Sequence, residues 1–149
     1  MTSAAPRLVR AAGPTTVLLA LGLTVLAAGC GGPTPRKAAK ARDRATSAAT
    51  SARLIAAAWD LGAAPGIYAS RAVGEMSTSL AAAESSSVWS ALPTRQASTI
   101  RRELHTLAAV SAGMDTAIRR NDRAAISDLR GSLLDHGGAL DGIVIDTTR

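Results

Sequence analysis

Phenylalanine does not occur in this chain of 149 residues, and two tryptophans and one tyrosine are its only aromatic side chains. Cysteine occurs once, as Cys30, which excludes an intrachain disulfide and a zinc site built on several thiolates. Histidine occurs only as His105 and His136, so no histidine-rich metal motif exists. No segment alternates with the period of a strand, and therefore no Gly-rich phosphate loop follows one. The serines, Ser85 to Ser87 among them, lack the strand-turn-helix setting that exposes a nucleophile. These absences leave an enzyme without a residue constellation, and the chain reads as non-catalytic. The longest apolar run, Val17 to Ala28, falls short of the ~20 residues that a spanning helix needs.

What is present favours helix. About a fifth of the residues are alanine, the strongest helix former. The formal net charge is +6, and without Arg7 and Arg10 it would be +4. Much of that charge is local. Arg36, Lys37, Lys40, Arg42 and Arg44, opposed only by Asp43, fall within nine residues. No aromatic residues interleave with them for base stacking, which argues against nucleic acid. Juxtamembrane cations gain about 1 kcal/mol each near an anionic surface, so the cluster suits contact with lipid.

The N-terminus has three parts. Met1 to Pro14 carry Arg7 and Arg10 and no acidic residue; Thr15 to Leu26 are mostly apolar; Ala27, Ala28 and Gly29 are small and precede Cys30. A charged start, an apolar core and a small-residue site form a secretory signal. With Leu26-Ala27-Ala28-Gly29-Cys30 as a lipobox, the segment resembles bacterial lipoprotein precursors. The excess of Ala and of Arg over Lys is that of a GC-rich genome, which points to an actinobacterial one. The resemblance implies cleavage between Gly29 and Cys30, a diacylglycerol on the Cys30 sulfur, and a new amine open to further acylation. It departs from the family pattern at Ala27, where leucine is commonest. An uncleaved signal anchor and a plain secreted protein are the alternatives. On the lipoprotein reading, residues 1–29 are the signal peptide, 30–35 an acylated tether, 36–145 a helical domain and 146–149 a loose tail. The resemblance ends with the signal.

Apolar residues spaced alternately three and four apart mark four amphipathic helices. Helix 1 is expected from about Pro35 to Leu61, capped by Thr34 and ended at Gly62. Its stripe is Ala41, Ala45, Ala48, Ala52, Ile55 and Trp59, with Leu54, Ile55 and Trp59 making the better packed end. Helix 2, from about Ile67 to Ser85, carries Ala69, Val73, Met76, Leu80 and Ala83. Val88, Trp89 and Leu92 should fold over one end as a lid. Helix 3, Thr94 to Arg120, holds Ile100, Leu104, Leu107, Ser111, Met114 and Ile118. Asn121-Asp122 reverses the chain, with Asp122 capping helix 4. That helix carries Ile126, Leu129, Leu133, His136, Leu140 and Ile143, with Gly137-Gly138 fraying or bending it. The connections are short, so the expected fold is all-α, an antiparallel up-down-up-down four-helix bundle. A coiled coil between chains is the rival, because the alanine face of helix 1 is a weak core.

His136 is the unusual residue, since it falls on an apolar stripe. Read as a ligand, it would bind haem or a metal with Met76 or Met114 opposite, as helical bundles allow. Read as a boundary residue, it needs no cofactor, and His136→Leu should leave the fold intact or slightly more stable. His105 and the carboxylates Asp128 and Asp135 read as ordinary helix surface. The function expected from the sequence is a non-catalytic accessory module, lipid-anchored at the outer face of the cell membrane. Its partner would be another envelope protein and its only prosthetic group the lipid on Cys30. The alternative is a helical bundle that binds haem, a metal or a small ligand.

Overall fold

A computed structural model describes residues 32–148, and within them every regular element is helical. The order is α1 (Pro35–Asp60), α2 (Gly66–Glu84), a 3-10 turn (Ser87–Ala91), α3 (Thr94–Arg119) and α4 (Arg123–Asp141). Local chemistry explains the ends. The Thr34 hydroxyl accepts from the Lys37 amide at 3.2 Å, and Pro35 fills the first helical position. At the far end of α1, Gly62 adopts φ 75°, its amide bonds Trp59 O, and the Ala63 amide bonds Ala58 O. That pair of bonds is a Schellman closure, and its left-handed residue favours glycine. The end of α3 repeats it with Asn121 at φ 55°, whose amide bonds Ile118 O while the Asp122 amide bonds Ala117 O. Asp122 then caps α4 by accepting from the Ala125 amide at 3.0 Å. The helix runs unbroken through Gly137 and Gly138, so the expected fraying does not occur.

The four helices form a bundle: α1 packs on α2 and α4, α3 packs on the same two, and α1 also reaches α3. The stripe expected on α3 is the core, with Ile100, Leu104, Leu107, Ser111, Met114 and Ile118 all buried. On α2, Ala69, Val73 and Leu80 are buried, while Met76 and Ala83 are partly covered. The lid is as expected. Trp89 is fully buried, Leu92 is buried beside it, and the Trp89 indole donates to Ala83 O at 2.6 Å.

Helix α1 departs from expectation. Ala38, Ala49 and Ala56 are buried together with Ala45, Ala52 and Trp59, while Ala41, Ala48 and Ile55 are only partly covered. The helix is turned about its axis, because it must meet α2 on one side and α4 on the other. Leu54, expected in the better packed end, is 57% exposed, so buried Trp59, with Ala56 and partly covered Ile55, anchors that end. Gly66 lets α2 begin against this indole: a Cβ there would lie 3.3 Å from Trp59 Nε1.

Between α2 and α3 sits a polar bond network. Ser70 donates to Asp115 Oδ1 at 2.7 Å, and Arg119 donates to the same oxygen at 2.9 Å and also to Oδ2. The Arg119 hydrogen bond holds the Asp115 carboxyl below the usual carboxylate range, reinforced by Ser70 and opposed by burial. A carboxyl with a lowered native pKa stabilises the fold above its unfolded pKa of about 4 and loses that contribution as pH falls through the native value. Asp115→Asn should therefore lower the melting temperature near pH 7, with the gap to wild type closing towards about pH 3. Melting curves at both pH values check this, and a gap that does not narrow would remove the linkage.

Candidate functional site

The residues singled out in the sequence fall into separate places. Arg36, Lys37, Lys40 and Arg44 are exposed on the first turns of α1, as expected for a surface cluster. Lys37 is not idle there, because its ammonium donates to Gly32 O at 3.2 Å. Arg42 differs. Its side chain is only 17% exposed, donates to Asp43 Oδ1, and bonds Ile143 O at the far end of the chain. It ties the segment after α4 onto α1 instead of facing solvent. Cys30 and Gly29 lie outside the described residues.

His136 does stand at a boundary, and it has a partner. Its Nδ1 lies 2.9 Å from Glu103 Oε2, with the carboxylate side chain 17% exposed and the imidazole 39% exposed. The reason is visible along α4. Ile126, Leu133 and Leu140, seven apart, are buried, whereas Leu129 and His136, also seven apart, are half-covered; Ile143, expected on the same helix, lies just beyond its end. A histidine in the second column reaches the edge of α3. Met114 is fully buried, eleven residues beyond Glu103 and so about 16 Å further along α3. Met76 is partly covered on α2. The structure does not bring His136 and Met114 to one place, and among the described residues no three His, Cys, Asp or Glu side chains converge. His105 is exposed and meets Glu84 at 3.2 Å; Asp128 and Asp135 are exposed.

The Glu103 contact reverses one expectation. His136→Leu would strand a largely covered carboxylate, and losing one partner of such a pair costs about 1–3 kcal/mol. With the imidazole partly in water, the lower end applies, so the variant should melt lower than wild type. The double variant Glu103→Leu/His136→Leu should recover stability. A His136→Leu protein as stable as wild type would show that the pair contributes nothing.

The sequence reading also missed an apolar tip. Leu61, Ile67 and Tyr68, around the turn from α1 to α2, are 83%, 78% and 71% exposed. Ile67 lines a cleft of about 460 Å³ with Gly66, Ser70, Ile118 and Arg119. Arg123 stacks over Trp59 at 5.3 Å and bonds Asp60 O, which places the start of α4 at the same end. The signal was present, since Leu61, Ile67 and Tyr68 lie off every helical stripe. A second groove, of about 200 Å³, runs between Thr46, Ala49, Thr50 and Arg53 of α1 and Leu133, Leu134, Gly137, Gly138 and Asp141 of α4. None of the described helices is long and apolar enough to cross a membrane. Comparison with protein-family models, with curated proteins and with solved structures found no match.

Proposed function

We propose that this chain is a lipoprotein held by acylated Cys30 at the outer face of the cell membrane, where it acts as a non-catalytic accessory module for another envelope protein. The signal-like segment ending in Leu26-Ala27-Ala28-Gly29-Cys30 supports the anchor, and Arg36, Lys37, Lys40 and Arg44 suit the adjacent lipid surface. Within the bundle, neighbouring helices run up-down-up-down. In support, Ser70 meets Asp115 and Ser77 donates to Ala108 O at 2.9 Å, so α2 and α3 advance in opposite directions. The turns at Leu61–Pro65 and Asn121–Asp122 are also too short for parallel neighbours.

The observation that carries the interaction reading is the apolar tip. Scattered exposed apolar residues are normal, but Leu61, Ile67 and Tyr68 are grouped beside a cleft. Helix α1 is 26 residues long, so the tip stands about 39 Å from the start of that helix. It is therefore presented away from the anchor, towards whatever faces this membrane. Photo-crosslinking of the full acylated protein in its own envelope tests this. A probe at Tyr68 should give one discrete adduct, and a probe at exposed Ser98 should give none. Equal labelling from both positions, or none from Tyr68, would refute the assignment.

A further inference from the structure

The bundle is electrically uneven along its length. At the tip most arginines are answered: Arg71 pairs with Glu75, Arg119 with Asp115, and Arg123 and Arg130 with Asp60, while exposed Arg120 makes no ion pair among the described residues. At the other end the carboxylates are engaged elsewhere. Glu84 faces His105, Glu103 faces His136, and Asp43 holds Arg42. Among the described residues, exposed Arg36, Lys40 and Arg44 of α1 and exposed Arg95, Arg101 and Arg102 of α3 make no ion pair.

These two sets are far apart in sequence and close in the fold. Arg42 bonds Ile143 O, and the Gln96 amide donates to Val144 O at 2.7 Å. Adjacent residues are 3.8 Å apart at Cα, so the first turns of α1 and α3 meet on one short strap of chain. Arg36, Lys40 and Arg44 recur every four residues and Arg95 and Arg102 are two turns apart, so each forms an outward row, with exposed Arg101 beside the second. Val144 is 83% exposed on the strap between them. Asp141 and Asp146 also lie towards this end and reduce the positive charge without cancelling it.

We infer that this end of the bundle is a two-part cationic surface for an anionic phospholipid bilayer, made by Arg36, Lys40 and Arg44 of α1 together with Arg95, Arg101 and Arg102 of α3. The inference rests on the lipid-anchor reading for its orientation. With Cys30 acylated, four residues separate the anchor from Pro35, a reach of at most about 18 Å. The end that carries most of the unpaired cations is then the end held at the headgroups. An apolar Val144 among cations suits the boundary between headgroups and acyl chains, where a free phosphate would have no use for it.

Vesicle binding by the mature chain, residues 30–149, carrying Cys30→Ser tests this without an acyl chain or the apolar signal segment. Vesicles of phosphatidylcholine, alone or mixed with phosphatidylglycerol, are the probe. Binding should require phosphatidylglycerol and weaken with salt. Each cation near the surface contributes roughly fivefold, so Arg95→Gln/Arg101→Gln/Arg102→Gln should weaken it about a hundredfold, as should Arg36→Gln/Lys40→Gln/Arg44→Gln. Arg71→Gln/Arg120→Gln, at the tip, should change nothing. If a triple variant melts below the parent, Arg95→Gln and Arg102→Gln singly should each show the fivefold loss. Undiminished binding by the α3 variants would overturn the two-part surface. Equal loss in the tip variant, or equal binding to soluble polyglutamate, would overturn a lipid site. Acylation of Cys30 is read separately, by fatty-acid labelling of the wild-type chain, so failure of the anchor and failure of this surface give different results.

Discussion

Leu107→Asp should abolish the cooperative melt of the helical domain. Leu107 is fully buried near the middle of α3, the helix that packs on α2 and α4 and also touches α1. Truncating a buried leucine costs about 2–5 kcal/mol. A carboxylate in its place adds the burial of a charge that no neighbouring cation answers, which is more costly still. A domain of this size has only about 5–15 kcal/mol in total. Its reserve is smaller where α1 buries alanines, which remove little apolar area from water. Circular dichroism against temperature checks the outcome. Leu134→Asp is the control: Leu134 is 57% exposed, and a surface change of this kind stays within about 0.5 kcal/mol. A Leu107→Asp protein that melts like wild type would remove α3 from the centre of the core.

Cys30→Ser should release the protein from the membrane. The lipobox reading makes the Cys30 sulfur the acceptor of two acyl chains, and serine lacks the thiol that accepts them. A single chain gives marginal, reversible membrane binding, and stable anchoring takes two signals. The basic rows on α1 and α3 would remain, but they act only at an anionic surface and are screened by salt. Wild-type protein labelled with fatty acid in its own host should carry the label and partition into the detergent phase. The Cys30→Ser chain should do neither. A wild-type chain that takes up no fatty acid would sink the lipoprotein reading outright.

Much of the helical architecture is local in origin, and so was legible in residue order. Thr34 before Pro35, Gly62 after α1 and Asn121-Asp122 before α4 set ends through bonds within a few residues. The α3 stripe was equally plain, because that helix has neighbours on several sides and its large residues all fall on one face. Where a helix carries mostly alanine, periodicity loses its grip. On α1 every alanine is about as good a contact as the next, so its rotation was decided by the shapes of α2 and α4. Leu54 was left exposed and Ala49 and Ala56 were buried as a result.

The contacts with functional meaning are of the kind that a sequence cannot display. Asp115 with Arg119 is the exception, being four residues apart on one helix. Glu103 and His136 are separated by 33 positions, and Arg42 and Ile143 by 101. No local rule links such residues, because their proximity follows from how whole helices pack. The sequence alone determined that the chain makes helices, where they stop, and that its first cationic row follows Cys30. Only the tertiary structure decided that Arg95, Arg101 and Arg102 lie at the same end as that row while most arginines of the tip are paired. Charges sum over space, and their neighbours in space are chosen by packing.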